Sequence, residues 1–133
     1  EFAMQDTKQT KDHEDRNNLV FIAEDDEIST DYLQAILSEL DIEMKFAQNG
    51  EELLQLMENK IPQLVLMDIK MPIMNGFEAL SRIREKYPDV KVIAQTAHAM
   101  GNEKQRIKEA GFDDYISKPI DEDKLFELIK KYI

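Results

Sequence analysis

A doubly wound α/β fold built on a five-stranded parallel sheet is predicted by three observations. Short apolar runs alternate with segments of helical period from Leu19 to Ile133, the pattern of repeated βα units. The first run, Leu19-Val20-Phe21-Ile22-Ala23, contains no polar residue, as a strand covered on both faces requires. The second, Ile42 to Ala47, alternates apolar and charged residues, so one of its faces meets water and it belongs at a sheet edge.

The elements follow in order. After the first strand, Ile28, Tyr32, Leu33, Ile36, Leu37 and Leu40 recur at spacings of three and four, predicting a helix over 27–40 with these side chains inward. Asn49-Gly50 opens a second helix with Leu53, Leu54, Leu56 and Met57 toward the core, and Pro62 marks the return to the sheet. Leu64 to Met67 form the third strand, ending in Asp68. A loop through Asn75-Gly76 leads to a helix with Phe77, Leu80, Ile83 and Tyr87 inward, stopped at Pro88. The fourth strand runs from Val90 to Gln95 and ends at Thr96. The segment 99–110 is poor in apolar residues and carries Gly101 in its interior. A helical glycine costs about 1 kcal/mol against alanine, so this is the least firmly held helix. A short strand at Tyr115-Ile116 ends at Lys118-Pro119, and the last helix spans 124–133 with Leu125, Leu128, Ile129 and Tyr132 inward. An edge-type second strand beside a buried first one fits the flavodoxin-like order 2-1-3-4-5.

Composition bounds the rest. The chain has 133 residues, one domain's worth. Residues 1–18 hold almost no apolar side chain after Met4 and read as a disordered tail or linker, with Glu1 to Met4 suiting a cloning scar; the domain proper is 19–133. A 42% hydrophobic content allows folding, while a formal charge of −11 argues against direct binding to nucleic acid or an anionic membrane. Without cysteine there are no disulfides, thiolate metal sites or cysteine nucleophiles. The expected compartment is the cytoplasm.

Ligands of open parallel sheets bind at the carboxyl ends of strands, beside the point where strand order reverses. The residues at those ends are Glu24 and Asp25, Asp68, Thr96 and Lys118. Crowded carboxylates raise one another's pKa unless a cation lies among them. The donors are hard oxygens, so Mg²⁺ is the expected ion, with Mn²⁺ as substitute. An aspartate in such a site can attack phosphorus while metal, amine and hydroxyl offset charge on the phosphoryl oxygens. Asp68 is then the nucleophile, with Lys118 and Thr96 as oxygen clamps.

The motifs Glu24-Asp25-Asp26-Glu27, Leu66-Met67-Asp68-Ile69-Lys70-Met71-Pro72 with Gly76, Gln95-Thr96-Ala97 and Tyr115-Ile116-Ser117-Lys118-Pro119 together resemble a response-regulator receiver domain of two-component signalling, over about 19–133. Any one motif alone would be weak; their order at separate strand ends is specific. The resemblance implies phosphorylation of Asp68 by a histidine kinase or histidine phosphotransfer protein. It also implies Mg²⁺ held by Asp25, Asp68 and the Lys70 backbone carbonyl, with Glu24 acting through water. Thr96 and Tyr115 look like a switch pair, and Lys118-Pro119 like a cis peptide. Glu24 stands where many members have aspartate, which puts the metal geometry in question. Lys70 and His98 fall at positions resembling those that govern phosphate lifetime.

Glu24 and Asp25 also suit a helix cap, Thr96 a strand-end cap and Lys118 a surface charge; the combination favours a site. His98 is expected to be solvated. The reading is therefore a phosphorylation-dependent switch that assists only its own phosphorylation and dephosphorylation. It resembles the receivers of hybrid sensor kinases, through Thr96-Ala97-His98-Ala99-Met100 and Gly111-Phe112-Asp113-Asp114-Tyr115. A stand-alone regulator is the rival. A haloacid-dehalogenase-like phosphatase is a distant one, since its second acid is replaced by Lys70, and a receiver that only binds partners is disfavoured by the intact acidic and basic set. The sequence gives no clear dimer signal and leaves a weak homodimer open. The segment 99–110 is the expected moving surface.

Overall fold

The computed structural model describes residues 18–97 and 100–133. The expectations for the tail, apart from Asn18, and for His98 lie outside the described residues. Five strands, β1 (Leu19–Ala23), β2 (Glu43–Ala47), β3 (Leu64–Asp68), β4 (Lys91–Thr96) and β5 (Asp114–Ser117), alternate with five helices, α1 (Glu27–Leu37), α2 (Gly50–Asn59), α3 (Gly76–Lys86), α4 (Asn102–Ala110) and α5 (Glu122–Tyr132). All neighbouring strands are parallel, in the order β2-β1-β3-β4-β5.

Period-two alternation divides each central strand between two cores. Leu19, Phe21 and Ala23 of β1 join Val65, Met67, Val92 and Ala94 under Leu53, Met57, Leu80 and Ile83 of α2 and α3. Val20 and Ile22 join Leu64, Leu66, Ile93 and Ile116 under Leu33, Ile36, Leu37, Leu125 and Ile129 of α1 and α5. Both faces of β1 are thus covered, which explains its uninterrupted apolar run. β2 alternates between exposed Glu43 and Lys45 and half-buried Met44 and Phe46 at the edge, as expected.

Helix starts are fixed by side-chain caps that satisfy otherwise unpaired N–H groups. Asp26 accepts from the Ser29 N–H at 2.8 Å, Asn49 from Glu52 at 2.9 Å and Asp121 from Lys124 at 3.0 Å. Asn75 and Glu78 form a reciprocal capping box at the start of α3. Arg84 of α3 ties the far end of the domain. Its guanidinium donates to the carbonyls of Val90 (2.6 Å) and Gly111 (2.9 Å) and pairs with Asp113 at 2.8 Å.

Several expectations need correction. α1 ends at Leu37, and two members of its predicted stripe, Ile28 and Tyr32, are 79% and 44% exposed. They occupy the first turns of the helix, before the buried Leu33, Ile36 and Leu37. Leu54 and Leu56 do pack against the core as expected, although they are half-buried. α5 begins at Glu122, earlier than predicted, because Asp121 supplies the cap. Gly101 is not inside α4 but precedes it as its N-cap, with φ 58°, and makes no side-chain cap hydrogen bond.

α4 buries only Ile107, so little apolar area holds it against the sheet. Its amides should therefore exchange with solvent faster than those of α1 or α3 in hydrogen-exchange mass spectrometry; equal protection of the three helices would contradict this account. A second expectation concerns Gly76. A Cβ there would stand 2.6 Å from the Asp68 carbonyl oxygen, which is backbone and cannot swing aside. Gly76→Ala should lower stability by about 1–3 kcal/mol, seen as a reduced urea midpoint at constant m-value.

Candidate functional site

The carboxyl edge of the sheet collects polar residues from the last positions of the strands and the turns that follow them. Glu24 follows β1 directly and Asp68 ends β3, the two strands being hydrogen-bonded neighbours. Both side chains are withdrawn from water, Glu24 to 2% and Asp68 to 6% exposure, whereas Asp25 is exposed. One carboxylate oxygen from each of the three lies within 4.8 Å of the others. Asp26, one residue on, caps α1. The cap therefore falls to Asp26, and Glu24 and Asp25 are left to the cluster.

Lys118 enters from the end of β5. Its Nζ is 3.2 Å from Glu24 Oε1 and 3.2 Å from Asp68 Oδ2. The Lys118 N–H donates to the Thr96 carbonyl at 2.8 Å, which holds the chain in position; the Lys118–Pro119 peptide is cis, as expected. Glu24 has both oxygens engaged, since Oε2 accepts from the Asp26 N–H at 3.1 Å. Asp68 Oδ1 accepts a long contact from the Lys70 N–H at 3.4 Å.

Burial pushes the Glu24 carboxyl above its ordinary pKa, and the Asp68 carboxylate adds to this; the Asp26 N–H and the Lys118 ammonium pull the other way without cancelling it. Lys118 is affected oppositely by its surroundings. Burial would depress its pKa, but the Asp68 and Glu24 carboxylates outweigh that and hold it above the usual lysine value. One ammonium among three carboxylates leaves an excess of negative charge. This excess, and the all-oxygen donor set, fit a hard divalent cation.

Thr96 closes β4, buried at 3% exposure. By strand alternation it shares the α2, α3 and α4 side of the sheet with Ala94 and Tyr115, whereas Asp68 faces the α1 and α5 side. Tyr115 is half-buried, with the Lys104 ammonium 5.8 Å from its ring centroid. Beyond Asp68 the loop passes through Ile73, exposed and with φ 69°, a left-handed conformation unusual for a β-branched residue. The next residue anchors it, because the Gly50 N–H donates to the Met74 carbonyl at 3.1 Å. Sequence reasoning missed one polar residue near the site. Gln95, the register partner of Asp68, is wholly buried in β4; a lone amide within Val92-Ile93-Ala94-Gln95 was the signal available.

If the cluster holds a divalent ion, Mg²⁺ should raise the melting temperature of the wild type. Saturation at a hundredfold excess over Kd is worth about 2.7 kcal/mol. Asp68→Asn should lose most of that gain, yet melt no lower than wild type in EDTA, because it removes charge that Glu24 opposes. A wild-type melting temperature indifferent to Mg²⁺ would refute the cation site.

Comparison with known proteins agrees with this geometry. Residues 20–130 match the family model described as the response regulator receiver domain. The chain is 34% identical over 116 residues to the polar-differentiation response regulator DivK of Brucella anthropi, covering 86% of this chain and 94% of that protein. It is 35% identical over 123 residues to hybrid signal transduction histidine kinase I of Dictyostelium discoideum, covering 86% of this chain but only 7% of the kinase. A solved CheY-like response regulator receiver domain protein from Methanospirillum hungatei superposes with a TM-score of 0.79 at 33% identity, over 86% of this chain and 91% of that one.

Proposed function

This chain belongs to the response regulator receiver domain family, the phosphoacceptor modules of two-component signalling, and from that membership we propose that Asp68 is the residue phosphorylated. The observation that supports it is the contact of Lys118 with Asp68 inside the acidic cluster. An Asp68 carboxylate oxygen forms a bond to phosphorus as the P–N bond of a phosphohistidine donor breaks. The leaving imidazole nitrogen keeps the electron pair and takes a proton from water. Asp68 becomes an acyl phosphate. Lys118 and Thr96 hold the phosphoryl oxygens, offsetting charge where it builds up.

Asp25, Asp68 and the Lys70 carbonyl would hold Mg²⁺, or Mn²⁺ in its place. Glu24 would act through water, which suits oxygens that already accept from Lys118 and Asp26. Bound there, the ion supplies charge neutralisation for the transferring group. Thr96 and Tyr115, on one side of the sheet beside the weakly held α4, are the switch pair, and α4 is the surface whose partner affinity changes. The domain assists only its own phosphorylation and dephosphorylation.

Receiver domains work with histidine kinases or phosphotransfer proteins, and we assign this one a donor of that kind in the cytoplasm, without direct nucleic acid or membrane contact. Likeness to the receiver of a hybrid kinase supports placement in a hybrid kinase or phosphorelay. Likeness to DivK, matched over nearly its whole length, supports a stand-alone regulator as the second reading. The dehalogenase-like phosphatase is set aside.

Incubation with acetyl phosphate and Mg²⁺ should add one phosphoryl group by intact mass. The addition should vanish in Asp68→Asn or EDTA and slow roughly a hundredfold in Lys118→Met. Phosphorylation that survives Asp68→Asn would overturn the assignment.

A further inference from the structure

Among the described residues, only Gln95 has buried side-chain polar atoms without a hydrogen-bond partner, and both Nε2 and Oε1 are in that state. The residue is 0% exposed. Burying an unpaired amide is costly, and methionine would fill similar space without that cost. Gln95 pairs in register with Asp68 on one side and Ile116 on the other. Its side chain shares the α1 and α5 side of the sheet with Ile93 and Ile116. Lys118, two residues beyond Ile116, returns to that side. Gln95 and Lys118 line one cleft of about 360 Å³, together with Tyr32 and Leu33 of α1 and Pro119. Tyr32 Oη already donates to the Ile120 carbonyl at 3.2 Å. Among the described residues that line the cleft, Lys118 is the one that carries charge.

An ammonium has three N–H bonds. Two of those on Lys118 are directed at Glu24 Oε1 and Asp68 Oδ2. Once Asp68 becomes an acyl phosphate its own oxygen loses the charge, and the ammonium, on a flexible four-carbon stem, re-partners with the phosphoryl oxygens. We propose that Gln95 is a positioning residue for Lys118, its amide oxygen accepting the third N–H of the ammonium when Asp68 is phosphorylated. Glu24, Gln95 and the phosphoryl group then hold the amine at three points. The inference rests on the phosphoacceptor reading of Asp68.

The test compares wild type with Gln95→Met, using phosphoramidate and Mg²⁺. In that reaction an Asp68 oxygen bonds to phosphorus as the P–N bond breaks, and ammonia leaves with the electron pair and a proton from water. The expected result is a maximal phosphorylation rate lowered roughly tenfold, the equivalent of one hydrogen bond to a charged group. The phosphoramidate concentration at half-maximal rate and the Mg²⁺ midpoint should stay unchanged, and the melting temperature without Mg²⁺ should rise. A rate equal to wild type overturns the proposal, whichever way stability moves. An independent readout uses the wild type alone. Nuclear Overhauser contacts between the Lys118 ammonium and the Gln95 amide should appear on adding beryllofluoride, and their absence also overturns it. Failure of wild type to accept phosphate would instead defeat the parent reading, and this one with it.

Discussion

The Lys118 ammonium, 3.2 Å from both Glu24 and Asp68, is the contact on which the carboxyl edge of this sheet depends. Two nearly buried carboxylates on adjacent strands repel in a medium that screens poorly, and the exposed Asp25 adds a third charge. Without a cation, the remedy would be protonation, the direction in which burial and Asp68 already push Glu24. Lys118 offsets part of this charge, while one ammonium against three carboxylates leaves the site electronegative. The result is a site whose negative charge is only partly offset and whose donors fit a divalent cation.

That arrangement is available because the rest of the domain is rigid where it needs to be. Strand alternation sends the apolar residues of β1, β3 and β4 into two separate cores, so the strand ends are fixed from both sides. The close approach of Gly76 to the Asp68 carbonyl holds the intervening loop against the end of β3. Arg84 locks the far side of β4 to the turn before β5, which anchors the strand leading to Lys118. Against this frame α4 is the exception, with one buried side chain and no side-chain cap. Little apolar area therefore holds α4 beside Tyr115, the place where a shift of the proposed kind would cost least.

The exposed first turns of α1 show where pattern reading fails. Ile28 and Tyr32 continue the spacing of Leu33, Ile36 and Leu37, and spacing alone places them inward. They instead stay exposed and line the mouth of a cleft, and Tyr32 reaches across to the Ile120 carbonyl at 3.2 Å. Gly101 failed differently: composition placed it inside a helix, but its positive φ makes it the residue before α4.

The sequence by itself determined the number and type of elements, the buried and edge strands, and the collection of Glu24, Asp25, Asp68, Thr96 and Lys118 at strand ends. These are legible because periodicity and turn chemistry are local, and because an open parallel sheet always gathers its carboxyl ends on one side. Tertiary structure alone decided that Asp26 rather than its neighbours caps α1, that Lys118 spans Glu24 and Asp68, and that Gln95 lies unpaired beside them. Such pairings join residues as many as 94 positions apart. They depend on strand register and on distances of a few ångströms, neither of which leaves a periodic mark in the chain.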